Sequence, residues 1–357
     1  MDTKNIGQLP RLSPPIPIPV RKGHGALNDV VMIDGTPEAY GLLDDVAVGA
    51  FVETICDRAD GFGGADGVYF VDRSPDLPIA TYYNSDGSAA EYCGNGLRCV
   101  GRYLLEATGE EQATVSSGGT TFEVSRFPVP NDGMHNVSVS ALDGLEIRTD
   151  AAQLSIDGIG FDFTLVLAPN PHLVAVVEPY SDGLAVDDLL LKVAKAVRRQ
   201  SGFEAGVNVS LAIRNPLGDN WNWVIRTDER GAGLTPSCAS GAVAAAATLV
   251  TLGHEELGKE LFIRNIGGPI AVRIDERDGV LFPMHSGNAT WVFDTTVSFV
   301  DPLDRDISFG DLERFEDELM SAESLYWENA NYLRAVGVEP QEEEFQARAN
   351  PSTTIPV

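Results

Sequence analysis

The stretch "NSDGSAAEYCGNGLRCVGRYL", residues 84 to 104, runs from an Asn-Ser-Asp-Gly turn through Cys93 and a Gly-Asn-Gly bend into a segment with helical apolar spacing. A second stretch, "ERGAGLTPSCASGAVAAAATLV" at 229 to 250, repeats the order of glycine-bearing loop, cysteine, small residues and long apolar helix. One device made once in each half of the chain predicts a duplicated α+β domain.

Working outward, strand-like runs punctuated by turn residues fall at 29 to 34, 67 to 71, 121 to 127, 163 to 168, 172 to 178, 208 to 214 and 221 to 227. Helical patterns fall at about 95 to 107, 186 to 200 and 239 to 252. Residues 128 to 150, rich in Pro, Asn, Asp and Gly, are placed to carry the chain from one half to the other. The expected divisions are a leader at 1–19, a first domain at 20–140 with Cys93, and a second at 141–295 with Cys238, whose last strands could return to the first. An acidic extension fills 296–357. Within it Leu312, Phe315, Leu319, Tyr326 and Leu333 keep helical spacing up to Gly337, which suggests an amphipathic helix and then a frayed tail, read as a solvated appendage.

The chain has 357 residues, 25 basic and 53 acidic side chains and a formal net charge of −28. That balance repels nucleic acid and anionic lipid, so no nucleic-acid partner is expected. Apolar runs are too short to span a bilayer, and the proline-rich start lacks the apolar core of a signal peptide, so the expectation is a cytoplasmic protein with no membrane partner. The four cysteines show neither CxxC nor metal-ligand spacing; free thiols and no metal are expected.

A thiol at a helix N-terminus faces unpaired backbone N–H groups and the positive end of the helix dipole, which lowers its pKa. Gly94 and Asn95 after Cys93, and Ala239 and Ser240 after Cys238, leave N–H groups free to cradle a carboxylate. Two such helices facing across a cleft would place one sulfur on each side of an α-carbon. One thiolate could then remove the α-proton while the other thiol protonates the opposite face, with no imine cofactor. Cys56 and Cys99 read as packing residues.

From "KGHGALND" at 22 to 29 through "WVFD" at 291 to 294, the chain resembles a diaminopimelate epimerase, of the cofactor-independent amino-acid racemase group. The resemblance implies two pseudo-symmetric domains, each of antiparallel strands wrapped round a central helix, with the active site in the cleft between them. It implies an isomerase of lysine and peptidoglycan precursor synthesis that takes diaminopimelate as its small-molecule substrate and uses no cofactor; a homodimer is compatible with it. "GALND" puts Asn28 at a substrate-contacting asparagine, and "NSDGSAAEYCGNGLRC" puts Asn84 at another and Cys93 at the first catalytic cysteine, with Gly94 and Asn95 in the carboxylate cradle. "NPHLV" gives Asn170 as a ligand and His172 as an orienting neighbour of the reacting centre, and "GVNV" gives Asn208. "ERGAGLTPSCASGA" gives Glu229, Arg230, the second catalytic cysteine Cys238, and Ala239 with Ser240 in the second cradle.

The chemistry of the ligand set fits such a substrate. Neutral amides read an ammonium and a carboxylate, and one arginine, Arg230, can hold a distant carboxylate through two donors. The sequence departs from the family pattern at Leu234, usually a glutamate, Ala239, usually a glycine, Val30, usually a phenylalanine, and Asn288, often a proline. The alternatives are a racemase of another amino acid, such as proline or hydroxyproline, which usually has Gly-His after its first cysteine, and a catalytically silent amino-acid-binding relative.

Overall fold

The computed structural model describes residues 17–59, 63–127, 135–168, 170–178, 186–203, 206–215, 223–299, 303, 307–340 and 342–349. The leader thus lies almost wholly outside the described residues, as does part of the crossing at 128 to 150. Six α-helices are described: α1 (Asp45–Cys56), α2 (Gly94–Thr108), α3 (Val186–Val197), α4 (Ala239–Thr251), α5 (Glu316–Arg334) and α6 (Glu342–Ala349).

The duplication holds element for element. Asn28–Asp34 runs parallel to Gly67–Asp72 with α1 in the connection, and Asn170–Val177 runs parallel to Asn208–Arg214 with α3 in the connection. In each half the next strand pairs antiparallel, Ile79–Asn84 in the first and Trp223–Glu229 in the second. After it come a two-residue strand, the cysteine and the central helix, α2 or α4. The strand after each central helix, Gln112–Ser117 or Glu260–Asn265, lies parallel to Ile79–Asn84 or Trp223–Glu229 respectively. A parallel step demands a crossover of this length, so each central helix is the strap that closes its own sheet.

Sequence explains why the straps sit inside. α4 is a run of alanines and small residues that is apolar all round, and Ala239 to Leu249 is buried throughout. Its thin cylinder lets Val166, Val174, Ile225, Ile263 and Ile270 close around it. α2 buries Leu97, Cys99, Val100 and Leu104 against Val30, Tyr69, Val124 and Val139, and ends at Gly109, whose φ of +74° permits the left-handed cap. The usual phenylalanine position, Val30, thus holds a smaller core residue.

Two seams join the halves. Val280–Asn288 of the second half pairs antiparallel with Asn136–Ala141 of the first. Thr290–Phe299 then returns and pairs with the opening strand Ile18–Gly25, just as Glu146–Ile156 pairs with Ile159–Ala168.

The extension differs from the expected solvated appendage. Leu319, Tyr326 and Leu333 are buried, as are Phe345 and Ala349, and most of this set covers the core of the second half. Its charged face is tied down too, since Arg102 of α2 donates to both carboxylate oxygens of Glu318, at 2.6 and 2.7 Å. The apolar stripe buried itself on the domain it follows, and only the polar face met solvent. Among the described residues no helix is long and apolar enough to cross a membrane.

Candidate active site

Cys93 and Cys238 are the N-caps of α2 and α4, each in extended backbone, and their sulfurs accept from Gly96 N–H at 3.4 Å and Gly241 N–H at 3.3 Å. The first turns of the two helices abut: a Cβ added at Gly94 would lie 2.9 Å from the Ala239 methyl and 3.7 Å from the Ser240 nitrogen. Asn95 reaches across and donates to the Ser237 carbonyl oxygen at 2.9 Å. The two N-termini therefore meet at the seam between the halves.

Each sulfur has its own second partner. The Cys93 thiol donates to Asn28 Oδ1 at 3.1 Å, while Cys238 meets Ser240 Oγ at 3.5 Å and the Glu229 carboxyl. The Glu229 carboxylate raises the pKa of both thiols. Burial raises the Glu229 pKa in turn, and the Thr235 hydroxyl donates to it.

The expected lowering of the thiol pKa does not occur. Burial pushes Cys93 up to about 12 and Cys238 well above the usual thiol value, and the helix N–H groups pull back only part of that. With Cys93 half-buried and Cys238 buried, the cost of stripping water from a thiolate exceeds what the backbone donors return. Both sulfurs are neutral thiols until another charge enters.

His172 is fully buried; its Nε2 lies 3.0 Å from Ser240 Oγ and 3.2 Å from Asn208 Nδ2. Asn208 Oδ1 accepts from the Arg230 backbone N–H at 2.7 Å. A chain Arg230, Asn208, His172, Ser240 and Cys238 results. Burial lowers the His172 pKa to about 3, so the ring is a neutral link in it. The Arg230 side chain lies on the surface against Gly206.

Asn84 and Asn170 stand further out. Asn84 ends its strand and donates to Ser88 Oγ at 3.0 Å in a turn, and Asn170 begins its strand opposite Ala168. Each is half-buried, and neither is bonded to a cysteine.

Several residues that shape the site carried no signal in the sequence. Tyr69 accepts from Cys93 N–H at 2.8 Å and donates to its carbonyl at 3.1 Å, clamping the cap from a strand that read only as core. Asn265 Oδ1 accepts from Cys238 N–H at 3.4 Å. Arg98, on α2, is fully buried and faces no carboxylate among its hydrogen-bond partners; its Nε donates to the Asn288 carbonyl. The side chain of Asn288, unusual for the family, accepts from Ala26 N–H at 2.9 Å. That bond fastens a hairpin turn in which Ala26 and Leu27 both hold positive φ, 50° and 61°, immediately before Asn28. Non-glycine residues in that region cost about 1 to 3 kcal/mol each, so the turn that leads into Asn28 is a strained one.

The geometry can be compared with known proteins. The diaminopimelate epimerase family model matches residues 20–130. Diaminopimelate epimerase of Clostridium acetobutylicum is 31% identical over 297 residues, 79% of this chain and 86% of that protein. The enzyme of Methanopyrus kandleri is 32% identical over 278 residues, 76% of this chain and 86% of its own. Among solved structures, a hydroxyproline epimerase from Agrobacterium vitis aligns with a TM-score of 0.57 over 83% of this chain and 94% of that one. A phenazine biosynthesis protein of the PhzF family from Bacillus anthracis also reaches 0.57, over 79% and 99%. At 17% and 11% identity these two speak for the two-domain α+β fold alone. Identity above three tenths across most of both chains, over a site with both capping cysteines in place, makes this chain a member of the diaminopimelate epimerase family, and hence an isomerase.

Proposed function

We propose that the protein interconverts LL- and meso-2,6-diaminopimelate in the cytoplasm, for lysine and peptidoglycan precursor synthesis, with Cys93 and Cys238 as the two proton carriers. The observation that carries this reading is the meeting of two cysteine-capped helix N-termini at the seam between the halves. The α-carboxylate sits between the N–H groups of Gly94, Asn95, Ala239 and Ser240, where developing enediolate charge is held as it forms. The α-ammonium enters beside Glu229 and the sulfurs, and its positive charge offsets the burial cost that keeps the resting thiols protonated. In one direction Cys238 gives its proton to the Glu229 carboxylate, the resulting thiolate takes the α-proton, and the Cys93 thiol protonates the carbanion from the other face, ending as the thiolate. Glu229, hydrogen-bonded to Cys238, can pass the proton that re-sets the pair.

Asn28, Asn84, Asn170 and Asn208 read the polar groups of the substrate, and Arg230 pairs with the distal carboxylate at the mouth of the cleft. Lysine keeps the distal amine and lacks that carboxylate. The test is kcat/KM for diaminopimelate, lysine and proline. Diaminopimelate should exceed both by orders of magnitude, because unpaired polar groups cost about 1 to 3 kcal/mol each. Comparable turnover of lysine or faster turnover of proline would overturn the assignment.

A further inference from the structure

The C-terminal extension touches the supports of both cysteines. At its far end Arg348 of α6 donates to Asp66, to Asp29 Oδ1 at 3.3 Å and to the Leu27 carbonyl at 3.5 Å. Leu27 and Asp29 flank Asn28, the acceptor of the Cys93 thiol proton. Asp29 is completely buried and also bound by Lys22 at 2.9 Å and Arg58 at 2.6 Å, so the backbone on one side of Asn28 is fixed by a network of charges. On the other side lies the strained turn, whose carbonyl Arg348 also reaches. The guanidinium thus bridges the residue before Asn28 and the residue after it.

In the middle of the extension Asn329 of α5, fully buried, donates to the Asn265 carbonyl at 2.7 Å and accepts from Arg264 at 3.0 Å. Asn265 Oδ1 is the acceptor for Cys238 N–H. Cys238 is therefore one residue removed from a side chain of the extension, through Asn265 to Asn329, and Cys93 is two removed, through Asn28 and its chain neighbours Leu27 and Asp29 to Arg348.

We propose that the extension is a two-point brace in which Arg348 and Asn329 are positioning residues, setting the distance and tilt of Cys93 and Cys238 across the cleft. The idea rests on the reading that these thiols carry the proton transfers. The extension ties its first point through charge and its second through neutral amides. The strap between them runs over the second-half core, where Leu333, Val336, Val338 and Phe345 hold it. A brace anchored in both halves suits a site whose two reacting groups come from different domains, since small relative shifts change the gap that a proton must cross.

The test uses the full-length protein with Arg348→Gln, Arg348→Lys and Asn329→Ala. Two readouts are taken: the rate of iodoacetamide alkylation of each cysteine by peptide mass spectrometry, and kcat with KM for diaminopimelate. In Arg348→Gln, Cys93 should alkylate about 3 to 10 times faster, the change worth one hydrogen bond, because the Asn28 acceptor that holds its proton has shifted. Cys56, Cys99 and Cys238 should stay within about twofold. Asn329→Ala should loosen Asn265, the acceptor of the Cys238 backbone N–H, and with it the cap that holds the sulfur, with the rise at Cys238 alone. In both, kcat should fall by a similar factor while KM holds. Arg348→Lys, which keeps the charge but loses the planar fork, should lie between Arg348→Gln and wild type, and carries the test if the glutamine variant does not fold. Unchanged alkylation and kcat in the variants would overturn the brace, as would all four thiols rising together, the mark of general loosening. The alkylation pattern is independent of which substrate the enzyme turns over, so it still decides the proposal if diaminopimelate is not converted.

Discussion

At the residue scale the two sulfurs are set apart from the other two by what surrounds them. Cys99 faces the α2 core and Cys56 the α1 core, with burial raising both pKa values and no helix N–H pointed at either sulfur. Alanine at either should keep most activity, whereas Cys93→Ala or Cys238→Ala should lower kcat by about a hundredfold or more, the scale of a lost general acid or base. Steady-state assays of the four variants check this. The raised thiol pKa values have a sign that can be read directly. A thiol whose pKa sits near 12 gains thiolate tenfold per pH unit through neutrality, so alkylation of Cys93 in the substrate-free protein should still be climbing beyond pH 9. A plateau by about pH 8 would show that the helix dipole wins over burial. The spacing of glycines and cysteines made the capping thiols legible in the sequence. Their protonation was not legible, because burial is a property of the closed fold. Tyr69 and Asn265 stayed hidden for the same reason: a core tyrosine and a turn asparagine look alike whether or not they end against a cysteine.

At the element scale the duplicated unit of strand, helix, strand, central helix was legible in its second half through α3, while in the first half α1 was not legible. The segment of α1 mixes valines with Gly49 and has no clean helical stripe, and its one local signal is Asp44, which caps it by accepting from Ala47 N–H at 2.8 Å. α5 was legible as a stripe, but which surface that stripe would bury was not. The contact between α2 and α4 supplies a prediction of its own. Gly94→Ala would drive a methyl to within 2.9 Å of Ala239, separating the two helix tips, and Ala239→Gly clears that space. Gly94→Ala should therefore cost activity severely and the double variant should recover much of it, a coupling read from a double-mutant cycle in kcat. Equal losses in the single and double variants would show that the methyl at Ala239 is not what Gly94 makes room for.

At the scale of the whole molecule, three histidines are folded into the interior as neutral rings. Burial lowers His24 to about 4 and His172 and His285 to about 3, from about 6.5 in an unfolded chain. Between these values the unfolded chain binds protons that the folded one refuses, so their contribution to stability is complete above about pH 6.5 and shrinks as the pH falls. Each can remove about 1.4 kcal/mol per pH unit in that window, so the melting temperature should fall from pH 7 to 5, with the buried Asp66 carboxyl, raised to about 6, offsetting part of the fall. A flat profile over that range would mean that the rings take up protons without unfolding. The same closed interior is where the halves meet, and the account stands on two thiols working from opposite faces of one α-carbon in that meeting place. Its most direct test is the reaction of LL-diaminopimelate in deuterium oxide, stopped in the first few per cent of conversion and analysed for label at the inverted carbon. A thiol that takes the substrate's proton can return only that proton, while the facing thiol delivers deuterium, so the product should be fully labelled and the remaining substrate unlabelled. Product that retains the original proton would show a single group serving both faces and would contradict the two-thiol site.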